Sequence, residues 1–135
     1  MRHLHRALAL LLIGAAPFAV AAERDEAKAL DYLYCARVMG FNSTMTMQRG
    51  DANTANALRQ MRTHFLLAAT MKSDGEFIKR EIANVVQKFD AQHPATDESM
   101  TLLKKETEQC SGVWYNDVRY LVGFEKKPPA AGSSR

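Results

Sequence analysis

Little in this chain is reactive. It has two cysteines, four histidines and one tryptophan in 135 residues. No Gly-x-Ser-x-Gly, His-Glu-x-x-His, phosphate-binding glycine loop or dinucleotide fingerprint occurs. Cys-x-x-Cys is missing, which removes a thioredoxin-like exchange site and Cys-x-x-Cys-His haem attachment. An excess of one charge is missing too: 18 Lys and Arg stand against 15 Asp and Glu. That leaves no electrostatic basis for nucleic-acid binding. No strand-like alternation of any length and no internal repeat is visible. Beyond the first 22 residues no apolar run approaches the roughly 20 residues of a membrane span, so stable membrane insertion is not expected.

What is there begins with residues 1–22, which read as a cleaved signal peptide. Met1 to Arg6 is a basic start, Ala7 to Val20 a short apolar run, and Ala19-Val20-Ala21 a small-x-small cleavage pattern, with the cut after Ala21 or Ala22. Removal takes Arg2 and Arg6 away, so the formal net charge falls from +3 by two. It also takes His3 and His5 and leaves His64 and His93. The expected location is periplasmic or secreted, where thiols oxidise. Cys35 and Cys110 are then the two halves of one disulfide.

The remainder reads as one helical domain over residues 23–124, followed by a disordered tail over 125–135. A first helix is expected from about Asp25 to Met39. Leu30, Leu33, Tyr34, Val38 and Phe41 share a face at about 100° per residue, with Cys35 at its margin. Tyr32 and Met39 fall on the far side, so the helix is apolar on more than one face and suits a central position. Gly40 is its expected stop. Residues 41–50 read as a polar loop containing Met45 and Met47. A second helix runs from about Asp51 to Met71.

Ser73-Asp74-Gly75-Glu76 has capping-box spacing and opens a third helix, which continues to about Ala91. Ile78, Ile82, Val85, Val86 and Phe89 form its stripe. Pro94 breaks the chain, and Thr96 or Asp97 starts a fourth helix. There Met100, Leu103, Thr107, Ser111, Trp114, Val118, Leu121 and Val122 align, Cys110 flanks them, and Gly112 offers a bend. The tail from Glu125 has nothing to bury. The expected fold class is all-α: a small four-helix bundle stapled by one disulfide between its first and last helices.

No catalytic set emerges, so no enzyme activity is expected. His64 sits in an apolar helix and reads as a core or boundary histidine; His93 precedes Pro94 in a loop. Glu76, Arg80, Glu81 and Lys88 read as solvated helix charges. No cofactor is expected. Met39, Met45 and Met47 are the one soft-ligand grouping and would suit Cu(I) in an oxidising compartment, though methionine more often fills helical cores. Tyr32, Met39, Phe77 and Tyr120 lie off the main stripes and make a candidate partner surface. The leading functional expectation is an exported protein that binds another protein stoichiometrically, as an inhibitor or toxin-immunity-like adaptor would. A stress holdase and a copper carrier are the alternatives, and self-association as a homodimer is a further expectation.

Overall fold

The computed structural model describes residues 24–131. The signal peptide expected over 1–22 lies outside them. Four helices follow in order: α1 (Glu26–Gln48), α2 (Ala52–Lys72), α3 (Gly75–Gln92) and α4 (Asp97–Val113). α4 continues through a π-helical turn, Trp114–Val118, and a last turn, Arg119–Leu121. No strand occurs among the described residues. The fold is the expected all-α bundle.

Each helix starts at a side chain able to satisfy its open backbone N–H groups. Asp25 accepts from the Lys28 N–H and Asp51 from that of Thr54, both at 3.0 Å. Asp74 accepts from Phe77 N–H at 2.8 Å, and Thr96 from Ser99 N–H at 3.2 Å. The third cap differs from the expected one. Ser73 ends α2 instead of opening α3, and its hydroxyl is buried with no hydrogen-bond partner among the described residues.

α1 is the central helix. Phe65 of α2 packs on Tyr32, with centroids 6.1 Å apart, and Phe89 of α3 packs on Phe41 at 5.4 Å. α4 is held by the disulfide between Cys35 and Cys110, whose Cα atoms are 5.4 Å apart. Tyr32, Val38 and Met39 are all but inaccessible because helices cover α1 on several sides.

Two expectations about α1 fail together. The helix does not stop at Gly40, and residues 41–48 are not a loop. Weak helix propensity is overridden by tertiary contacts on this extra stretch. The Asn42 amide donates to Thr107 Oγ1 at 2.8 Å, and Ser43 donates to the Ala55 carbonyl at 2.8 Å. Gly40 serves close approach instead: a Cβ there would lie 2.9 Å from Arg62 Cδ. The turn falls at Gly50, whose φ of 85° favours glycine.

α4 departs from ideal geometry two residues beyond Gly112, not at it. The π turn places Val118 in the core and Asp117 against Tyr32, whose hydroxyl donates to that carboxylate. Burial first, then that hydrogen bond, push the Tyr32 phenol far above its ordinary pKa. The tail is exposed from Phe124 to Ala131 and has no regular structure beyond Glu125. Glu125 itself is tied back, its carboxylate accepting from Arg119 at 2.8 Å and its N–H donating to the Arg119 carbonyl at 3.1 Å.

Candidate functional site

Two clefts flank α3, because it rests on α1 and makes little contact with either α2 or α4. Along α3, Ile78, Val85 and Phe89 form the buried line. At about 100° per residue, Glu81 and Lys88 lie to one side of it and Ile82 and Val86 to the other.

The cleft on the α4 side has a volume of about 460 Å³ and is walled by Leu30, Val85, Val113 and the Cys35–Cys110 bridge. Its polar edge belongs to a network. His93 Nδ1 meets the Phe89 carbonyl at 2.7 Å and Nε2 meets Glu106 at 2.6 Å. A carbonyl only accepts, so Nδ1 carries a proton. The Tyr34 hydroxyl lies 2.8 Å from Glu106 and 2.9 Å from the Gln92 amide oxygen. It has one proton for two acceptors. The carboxylate is the stronger, and the second contact is met if Gln92 turns its amide N–H₂ toward Tyr34. Burial, then the bond to Glu106, raise the Tyr34 pKa well beyond the usual tyrosine value. The His93 side chain is only 5 % exposed and both its ring nitrogens are engaged. This network locks the α3–α4 connection onto α1.

The cleft on the α2 side is a groove in two continuous parts that share Arg37, Gly40 and Arg62. The apolar part, about 180 Å³, is lined by Leu33, Leu66, Ile82 and Val86. The polar part, about 240 Å³, adds Ser43, Thr44 and Arg59. It opens because α3, at 18 residues, is shorter than α1 at 23 and α2 at 21. The far end of the α1–α2 hairpin is therefore left uncovered on this face. No carboxylate lines either part. Arg37 donates to Asp90 at 3.0 Å, while its Nε is buried and finds no acceptor among the described residues. Such an unmet donor costs about 1–3 kcal/mol.

Three of the four residues expected to form a partner surface are core. Tyr32 and Met39 face packed helices, and Phe77 is buried in the first turn of α3. The far side of α1 is a second interior face, so lying off the stripe did not mean exposure. Tyr120 is half-buried, its ring covered by the Arg119 guanidinium 4.5 Å from the centroid. The soft-ligand grouping dissolves as well. Met39 is inaccessible, and Met45 and Met47 stand two apart on a helix, pointing away from one another. No cluster of three or more His, Cys, Asp or Glu suited to a metal ion occurs among the described residues.

His64 accepts a hydrogen bond at Nδ1 from the Trp114 indole N–H, 3.0 Å away. The exposed ring of Phe124 packs on both, 4.8 Å from His64 and 5.8 Å from Trp114. Protonated Nδ1 could not accept. Burial alone already lowers the His64 pKa below its ordinary 6.5. With the folded value depressed, this histidine adds no pH dependence to stability above about 6.5, where folded and unfolded chains are both neutral. As pH falls below 6.5 the unfolded chain takes the proton first, and stability drops until the folded pKa is passed. Trp114 is the sole tryptophan, so its emission reports the change directly. We expect a titration midpoint below 6.5, absent in His64→Gln.

The groove residues Arg37, Arg59, Arg62 and Ile82 were not singled out from sequence. Ile82 fits the α3 stripe as well as Phe89 does, yet it is 45 % exposed. The one available signal was the spacing of Arg59 and Arg62, three apart on one helix. Comparison with family models, with curated proteins and with solved structures finds no match for this chain.

Proposed function

We propose that this chain is an exported, non-catalytic protein that acts by binding a partner protein at one-to-one stoichiometry, in the manner of an inhibitor or a toxin-immunity adaptor. The groove between α2 and α3 carries this reading: an apolar floor with Ile82 at its lip, framed by three arginines and lined by no carboxylate. The groove is built on three capped helices, so its side chains project from regular backbone, which limits the ordering cost of association. The disulfide fits a compartment outside the cytoplasm, and no described helix is long and apolar enough to cross a membrane. Neither of the two described histidines meets a hydroxyl or thiol nucleophile: His64 bonds Trp114, and His93 bonds Phe89 and Glu106.

The test is purification of the tagged full chain from the envelope fraction of its own host, followed by native mass measurement. The expected result is a chain cut after Ala21 or Ala22 in a one-to-one heterocomplex. Recovery only as a free chain or a homo-oligomer overturns the proposal.

A further inference from the structure

We infer that the groove between α2 and α3 receives an acidic, apolar-faced segment of the partner protein, with apolar side chains against Leu66, Ile82 and Val86 and carboxylates against Arg37, Arg59 and Arg62. This deepens the binding function proposed above and rests on it.

Charge complementarity selects the occupant. Among the described residues Asp90 is the one carboxylate bonded to these arginines, and it takes only Arg37. Arg59 reaches no more than the Asn56 side-chain oxygen at 3.3 Å. The Arg62 guanidinium makes no hydrogen bond or ion pair among the described residues; its stem lies over Gly40. Arg37 keeps one buried N–H without an acceptor. Guanidinium groups recognise carboxylates through paired N–H donors, so this edge calls for several carboxylates on one ligand. The whole chain is close to charge balance, so the attraction is local to this face and not a general field.

Shape selects a protein segment. Both parts are open along their length, and the apolar part alone is only about 180 Å³. It suits anchoring side chains, not an enclosed ligand. Along α1 the groove runs from Leu33 to Thr44, about 16 Å at 1.5 Å per residue, or some three turns of a docked helix. An apolar row followed by carboxylates matches the groove along that length.

The probe is a photo-crosslinking benzoylphenylalanine placed at Ile82 in the full chain, made in its own host. A second version carries it at Lys104, on the exposed side of α4. Adducts are digested and the attached peptide sequenced. The expected adduct at Ile82 is one protein segment with net negative charge and apolar residues at helical spacing. Its yield should fall at least tenfold in the Arg59→Glu/Arg62→Glu variant and with added salt, and stay unchanged in Lys105→Glu, which alters an exposed charge on α4. Gly40→Ala is the second variant. Its new Cβ pushes the flexible Arg62 stem aside, so the yield should fall several-fold while the melting temperature holds or rises. An adduct at Ile82 with a basic or uncharged segment, a lipid or a second copy of this chain overturns the inference, as does no adduct there. A one-to-one complex that crosslinks only at Lys104 overturns the groove but leaves the binding function standing. Failure to find any heterocomplex removes both.

Discussion

Replacing both Cys35 and Cys110 by alanine should lower the free energy of unfolding by about 4 kcal/mol. The bridge spans 75 positions, and closing so long a loop removes much of the unfolded chain's freedom. Domains of this kind are stable by only about 5–15 kcal/mol, so the loss is a large share of the total. At roughly 4–8 °C per kcal/mol it is a fall of about 15–30 °C in melting temperature. Alanine is the right replacement, because serine would add two buried hydroxyl groups at positions only 8 % and 4 % exposed. Other ties between α1 and α4 remain: Tyr32 to Asp117, Tyr34 to Glu106 and Asn42 to Thr107. The variant should therefore keep its helices and lose resistance, not fold. Urea titration of both proteins, with the native one also measured after reduction, checks this. A loss under about 1 kcal/mol would mean that the two sulfurs are not joined in the isolated protein.

Phe89→Ala should cost about 3–5 kcal/mol, the range for removing a buried aromatic. Phe89 is 1 % exposed. Its ring lies 5.4 Å from Phe41, 6.1 Å from Tyr34 and 4.1 Å from His93, with the Arg37 guanidinium 5.0 Å over its face. The ring is the junction between the core, the His93 network and the basic edge of the groove. Ile82→Ala is the matched comparison. It sits two turns earlier on the same face of α3, yet it is 45 % exposed and should cost only about 0.5 kcal/mol. Similar losses at both positions, measured by urea titration, would mean that α3 lies on α1 in another orientation.

Those two residues mark where sequence reasoning stops. Periodicity places Ile82 and Phe89 on one stripe, and it cannot say how far the neighbouring helix closes over that stripe. The groove exists because α3 rests on α1 and meets little of α2, and that placement leaves no local trace in composition. Arg59 and Arg62 look like ordinary solvated charges until Gly40 and Arg37 are brought beside them. For the same reason Tyr32, Met39 and Phe77 were misplaced: each lies off a stripe, and only the arrangement of four helices turns the far side of α1 into a second interior and buries the first turn of α3. Tyr120, also assigned to that surface, is occupied by Arg119.

Local signals fared better. The cap at Asp51 was legible, and Thr96 was one of two starts the sequence offered for α4, because a side chain three residues before a free N–H is a short-range event. At Ser73-Asp74 two cap-forming residues stand side by side, and the chain uses the first to leave α2 and the second to enter α3. Gly40 was a plausible stop by residue type, but contacts from Asn42 and Ser43 to distant helices carry α1 two more turns.

By itself, then, the order of residues determined the helical class, most element boundaries and the pairing of the two cysteines. These depend on local backbone preferences, on a period near 3.6 and on there being a single pairing of two thiols. The tertiary structure alone decided the length of α1, the second buried face, the His64–Trp114 contact and the arginine-framed groove. Each of those depends on distances between residues far apart in the chain, which are set by how helices of unequal length settle on one another.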